Sequence, residues 1–386
     1  MEPAQQKEGF SVAPDSRFGS ILFPMSETDS NTPHQSDPTP HKRRPRYAGK
    51  NPRRFEDKYK ELNPARYTSD VAKVIASGKT PAGTHRPILV KEILEVLALK
   101  PGEIVADCTL GFGGHARAMF PLLAPTGRLV GLDVDPVEQP KTTARLRAAG
   151  WDEPVFTAVR SNFAALPRVL AQLGLDGVDA VLADLGVSSM QIDDPTRGFT
   201  FKIDCPLDLR LNPQRPPSGT EWLANVSSDD LANALKENAD EPHAELLAHG
   251  LTVLRLKTPI TRTAQLAEAI KRLLRDHQSR RDPEADEDCV RRVFQAIRIA
   301  INDEFGVLEM FLRDLPKCLK PGGRVAILTF HSGEDRRVKQ AFKEGLRAGF
   351  YASTNDEIVR AGPEERRANP RSTSAKLRWA VCAPAK

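Results

Sequence analysis

The residues Asp107-Cys108-Thr109-Leu110-Gly111-Phe112-Gly113-Gly114-His115 are built to hold a ligand through main chain alone. Glycine at 111, 113 and 114 lets the backbone approach a bound group where a Cβ would collide. A helix starting just after them offers unpaired N–H groups in its first turn. One strand–helix–strand unit later comes Gly131-Leu132-Asp133-Val134-Asp135-Pro136, where Asp133 can accept hydrogen bonds from both hydroxyls of a ribose. Alone, the first motif is a tight turn and the second a solvated carboxylate. Their spacing points to a ligand that carries a ribose. Two classes of ligand fit. Gly111 to Ala116 also satisfies the dinucleotide pattern G-x-G-x-x-G/A of a dehydrogenase, whereas a methyl donor would seat an amino acid moiety on the loop. Nothing downstream supplies an acid–base pair for hydride transfer, which favours the methyl donor.

The elements that position these motifs follow from the apolar pattern. Glu103–Cys108, Arg128–Asp133, Val155–Val159, Val178–Asp184 and Gly323–Phe330 read as strands. Their continuous apolar runs imply burial on both faces, as in a parallel sheet. Order begins near His85, and Ile93, Leu94, Val96 and Leu97 mark a helix closed by Pro101-Gly102. Alternation of strand and helix predicts a doubly wound α/β fold with its ligands at the carboxyl ends of the strands. Between Arg197 and Cys289 the alternation stops and helices dominate: Ser227-Ser228-Asp229-Asp230 reads as a helix start, and Leu266, Ile270, Leu273 and Leu274 form one stripe. The chain thus divides into a disordered basic extension (1–80), a sheet domain in two parts (81–196 and 290–386) and a helical insertion facing substrate (197–289). Ser374–Cys382 reads as an edge strand.

Composition narrows the class further. No stretch approaches the ~18 apolar residues of a membrane span. An N-terminus carrying Glu2, Glu8 and Asp15 has no apolar core of a leader. Five scattered cysteines suggest neither disulfides nor a zinc site, and a reduced cytoplasm is expected. His243 and His249 lie six apart, off the i, i+4 spacing of a helical zinc pair, so no metal is expected. Net charge is +5, yet residues 41–60 hold nine Lys and Arg against Glu56 and Asp57. Such a run attracts phosphate backbones or forms a solvated tail. Arg262, Lys271, Arg272 and Arg275 pose the same pair of readings.

Further strings are more specific. Asp184-Leu185-Gly186-Val187-Ser188-Ser189-Met190-Gln191-Ile192-Asp193-Asp194, Arg197-Gly198-Phe199-Thr200-Phe201 and Pro206-Leu207-Asp208-Leu209-Arg210 resemble the bacterial 16S rRNA cytosine-N4-methyltransferases, the RsmH (MraW) family. So do Phe294–Glu304, Leu319–Arg324, Phe330-His331-Ser332-Gly333-Glu334-Asp335-Arg336, Asn369-Pro370-Arg371 and Ser374–Arg378, in order from His85 to Ala380, with residues 1–80 outside. The resemblance implies a Rossmann-like class I methyltransferase sheet with an inserted helical domain, S-adenosylmethionine as cofactor and 16S rRNA within the small ribosomal subunit as substrate. It assigns cofactor contacts to Gly113, Gly114, His115, Asp133, Phe163, Asp184 and Gln191. Met190, Cys205, Gly333 and Asp240–His243 depart from the family pattern and leave the cofactor motifs intact.

The chemistry required is demanding at the acceptor. A cytosine N4 lone pair is delocalised into the ring, so acceptors must hold the amine hydrogens and aim the lone pair at the methyl group. Asp184, Ser188 and Ser189, after the fourth strand, are expected in that role by fold analogy. Arg210, His331 and Ser332 are expected on the substrate side. A paired N4 is inaccessible, so the base must leave its stack. Methylation of another acceptor, or a non-catalytic RNA-binding assembly factor, are the alternatives.

Overall fold

In the computed structural model, which describes residues 87–277 and 282–385, the apolar runs pair side by side. Strands β1 (Ile104–Asp107), β2 (Arg128–Asp133), β3 (Phe156–Arg160), β4 (Val178–Asp184) and β5 (Leu319–Thr329) are mutually parallel. β6 (Tyr351–Thr354) and β7 (Lys376–Cys382) complete a seven-stranded sheet in the order β3-β2-β1-β4-β5-β7-β6, with β7 antiparallel to both neighbours. Val105, Val130, Val181 and Ile327 are wholly buried, as a doubly covered sheet demands. The segment expected at the edge is β7, which lies inside the sheet. The edge on that side is β6, whose four residues are too few to show a period.

Helices α1 (Val90–Leu97), α2 (Gly114–Leu123) and α3 (Glu138–Ala148) pack on one sheet face around Ile93, Phe120 and Leu146. α4 (Leu166–Gln172) joins the other face, and the short α5 (Ser189–Asp193) follows β4. A run of helices then leaves the sheet: α6 (Gly219–Asn225), α7 (Ser228–Ala239), α8 (Ala244–Lys257), α9 (Thr263–His277) and α10 (Pro283–Asn302). They bury a core of their own that includes Leu231, Leu247, Leu266, Ile270 and Val293. Ser227 caps α7 as expected, its Oγ accepting the Asp230 N–H at 3.0 Å. Position 289, read as the end of this insertion, falls within α10, which runs unbroken to Asn302. α11 (Glu304–Cys318) and α12 (Ser332–Arg347) return to the sheet, and α13 (Pro363–Ala368) precedes β7. Residues 1–80, with the basic run at 41–60, lie outside the described residues.

Charged residues of several family-like strings serve as scaffold. Arg324 ties β5 to the far end of the sheet, donating to Leu97 O, Asp179 O and both oxygens of Glu103. Asp335 at the start of α12 receives Lys376 and the buried Arg378 from β7. Asp240 adopts the left-handed conformation (φ 49°) that Asp tolerates better than most residues. From there its carboxylate takes both terminal nitrogens of Arg336 and the Ser332 hydroxyl, joining α7 to α12.

Candidate active site

A cavity of about 1310 Å³ opens at the carboxyl ends of β1, β2, β4 and β5. That exceeds the roughly 300–1,000 Å³ of most single-ligand pockets, leaving room for two reactants. One side is formed by the glycine loop, Asp133 and Phe163, the other by Arg210, Asn302, Phe305 and His331.

The loop holds its shape because Gly111 and Gly113 take positive φ, 48° and 74°. A Cβ on Gly113 would also press Thr142 at 3.1 Å, so α3 packs against the loop without a gap. Asp133 secures it from β2: Oδ2 accepts the Gly111 N–H at 2.7 Å and Oδ1 the Asp135 N–H at 2.8 Å. Burial pushes the Asp133 carboxyl up to about 6, opposed by those two N–H groups. Each oxygen keeps a further lone pair for a ligand. Beneath the loop, Asp107 is 1% exposed, and burial drives its carboxyl to about 7 although His115 and the Thr109 N–H oppose the rise.

His115 sits in the first turn of α2 with Nε2 3.4 Å from Asp184 Oδ2. The Asp184 N–H donates to Thr109 Oγ1 at 2.6 Å, and its buried Oδ1 has no partner. Phe163 presents to the cavity while its ring meets Phe311 edge-on at 5.2 Å. Gly114, Ser188, Ser189 and Gln191 also line the space.

The structure qualifies several expectations. Gln191 spends both ends of its amide on protein: Oε1 accepts the Ser188 N–H and Nε2 donates to Asp135. The Ser188 hydroxyl accepts the Gln191 N–H as the cap of α5. Arg210 lines the cavity with its guanidinium already bidentate on Asp208. His331 lines it as well, yet both ring nitrogens are shielded, Nε2 lying 3.2 Å from Glu334 Oε1. Ser332 turns away to Asp240 and is not part of the wall. Arg262 pairs with Asp204 outside the cavity.

Other residues escaped the sequence reading. Arg298 and Glu304 form a bidentate pair at 2.8 Å on the wall beside Phe305. Burial pushes the Glu334 carboxyl up, but His331, the Phe330 N–H and Arg298 outweigh it and hold it below the usual range. Asp135 and Arg197 make a buried ion pair at 2.7 Å. Asp135 stood in the Asp133 motif and Arg197 in a family-like string, but no local period shows that they meet.

Gly333 now has a physical explanation. A Cβ there would lie 2.5 Å from Phe305 Cζ, and Phe305 is held with the Arg337 guanidinium 3.6 Å above its ring. Gly333→Leu is expected to lower stability by about 1–3 kcal/mol, the usual cost of overpacking. Chemical denaturation would measure it, and an unchanged midpoint would show that Phe305 yields freely.

A parallel sheet continued by an antiparallel β7, a glycine loop after β1 and an acid closing β2 define a class I S-adenosylmethionine-dependent methyltransferase. The residues fit that cofactor: Asp133 keeps acceptor capacity for hydroxyls, and Asp184 Oδ1 is a buried acceptor without a partner. Residues 82–382 match the model of the MraW methylase family, to which the chain belongs. It is 47% identical over 347 residues to ribosomal RNA small subunit methyltransferase H 1 of Agathobacter rectalis, covering 90% of this chain and 99% of that protein. It is 39% identical over 316 residues to ribosomal RNA small subunit methyltransferase H of Chromobacterium violaceum, covering 78% and 96%. An rRNA methylase structure from Streptococcus thermophilus is similar at TM-score 0.34 and 12% identity, over 76% of this chain and 93% of that one. The family match begins at residue 82, as expected, while the 90% coverage by the Agathobacter relative takes in part of the first 80 residues.

Among the described residues no helix is long and apolar enough to cross a membrane.

Proposed function

We propose that this methyltransferase acts on the N4 amine of one cytosine of 16S rRNA near the decoding site, within the small ribosomal subunit and in the cytoplasm. The observation that carries the reading is the single cavity joining the glycine loop and Asp133 to a wall that carries Arg210 and Arg215. The names of the relatives supply the class of RNA, and the family resemblance supplies the atom.

S-adenosylmethionine, when bound, supplies a methyl group already activated on a sulfonium, so the protein has chiefly to orient and to exclude water. Asp133 would hold the ribose hydroxyls, Phe163 would stack beside adenine, and Gly114 and His115 would line the amino acid moiety, with Gly113, expected as a contact, packed instead on Thr142 and Leu146 behind the wall. Asp184 and Ser189 would accept from the acceptor amine and orient its lone pair. Ser188 and Gln191 set the α5 turn on which Ser189 stands. Arg210 would meet a phosphodiester of the target strand, and the helical segment 197–289 would dock the surrounding RNA. Transfer of that methyl to N4 would leave the amine with a proton to lose. The Asp184 carboxylate, which lines this wall, would take that proton.

Asp133 gives the reading a pH signature. A carboxyl raised to about 6 is protonated, and loses acceptor strength, as pH falls through that value. Affinity for S-adenosylmethionine is expected to drop about tenfold between pH 7.5 and pH 5 in calorimetry. Asp133→Asn should flatten that profile, and an unaltered slope in the variant would assign the dependence elsewhere.

The direct test is mass spectrometry of 16S rRNA from subunits lacking the modification, incubated with protein and S-adenosylmethionine. One added methyl on a cytosine N4 supports the proposal. Cofactor binding without methylation would move the search to another acceptor.

A further inference from the structure

Between Asp208 and Asn212 the chain crosses the acceptor side of the cavity as a strap bearing Arg210. Its centre, Leu209, is 1% exposed and takes φ 65°, left-handed backbone that a side-chain-bearing residue adopts only when its surroundings impose it. The surroundings here are explicit. Asn302, ending α10, accepts the Leu211 N–H at 2.7 Å and donates to Leu209 O at 2.8 Å. Arg197 donates from Nη2 to Arg210 O at 3.1 Å and Leu211 O at 2.8 Å, and its carbonyl accepts the Leu209 N–H at 3.0 Å. Gly198 lies so close beneath that a Cβ would stand 2.5 Å from Pro206 O and 2.7 Å from Asp208 N.

The other arm of the same guanidinium reaches the cofactor edge. Arg197 Nη1 donates to Asp135 Oδ2 at 2.7 Å, and Asp135 Oδ1 accepts the Val137 and Glu138 N–H groups of the turn into α3. Asp135 Oδ2 also receives Gln191 Nε2, while the Asp135 N–H is held by Asp133. Arg197 is 5% exposed and Asp135 1%, so neither faces a ligand. One buried fork therefore spans from the ribose-side turn to the strap that presents Arg210.

We propose that Arg197 is a positioning residue that couples the two halves of the site: order gained at the Asp133–Asp135 turn when S-adenosylmethionine binds passes through Arg197 to the strap and sets Arg210 for RNA. This rests on the reading of the cavity as a joint cofactor and RNA site. Such coupling needs no displacement, only that one ligand steadies what the other must find ordered.

Hydrogen exchange at the Leu209 and Leu211 amides, without RNA, tests it. In the wild type, saturating S-adenosylmethionine should slow exchange about tenfold. Arg197→Lys keeps a cation for Asp135 but lacks the planar fork that reaches Arg210 O and Leu211 O together. It should show no slowing, with cofactor affinity within about threefold of wild type and KM for small subunits raised about tenfold at a similar kcat. Asn302→Ala, which frees the strap but leaves the Asp135–Arg197 pair, should raise that KM comparably while leaving cofactor affinity alone. A wild-type strap indifferent to S-adenosylmethionine overturns the coupling. So does equal slowing in Arg197→Lys, or a parallel loss of cofactor and RNA affinity, which would make Arg197 a support of the fold alone. If Arg197→Lys does not fold, an unchanged KM in Asn302→Ala overturns the proposal. Cofactor-dependent slowing in a protein that methylates no rRNA would uphold the coupling and sink the functional reading instead.

Discussion

Asp133→Ala is expected to raise the dissociation constant for S-adenosylmethionine by at least about a hundredfold. Two hydrogen bonds from ribose hydroxyls to a largely buried carboxylate are charge-assisted, each worth roughly 1.5–3 kcal/mol, and together they account for that factor. The variant also removes the acceptor that secures the Gly111 and Asp135 N–H groups, so the loop should loosen as well as lose a contact. Calorimetry at pH 7.5 gives the affinity, and thermal unfolding without ligand reports the loop. An affinity within threefold of wild type would remove Asp133 from the cofactor site, however the stability changed.

Asp107→Asn should act in the opposite sense, making the ligand-free protein more stable by up to about 4 kcal/mol at pH 8.5. Asp107 is 1% exposed, and burial has raised its carboxyl from 3.8 to about 7. The sign follows from linkage. A raised acid binds its proton more tightly folded than unfolded, so its contribution favours the fold below pH 3.8 and is lost as pH rises through 7. Asparagine never ionises, and its side-chain oxygen can still accept the Thr109 N–H. The gain should therefore shrink to less than about 2 kcal/mol at pH 5. Denaturant titrations at the two pH values measure it, and a gain independent of pH would show that ionisation of Asp107 is not the cause. Retaining an ionisable group there destabilises the empty site, a pattern common where function and stability conflict.

Much of this protein is legible along the chain because the relevant physics is local. Val178–Asp184 is a strand in sequence and structure alike, since an unbroken apolar run between turn residues has few other fates. Gly111, Gly113 and Asp133 were recognisable because a backbone cradle and a strand-end carboxylate lie one βαβ unit apart, and family-like strings marked the acceptor side. The extent of α10 was not legible, because its buried residues from Cys289 to Ile297 all belong to the helical core and no breaker marks position 289.

What only the tertiary structure decided is which polar groups remain for chemistry. Ser188 and Gln191 line the cavity, yet the α5 cap and Asp135 take part of their hydrogen-bonding capacity, while His331 reaches the wall with both nitrogens covered. Arg197 and Asp135, 62 residues apart, become partners only when the strand ends converge. The sequence by itself determined the five parallel strands, the glycine loop and the acid beside it, since apolar periodicity and glycine's freedom act over a few residues. Partner choice among buried polar groups depends on desolvation and hydrogen-bond geometry in the packed core, and these exist only once the chain has folded.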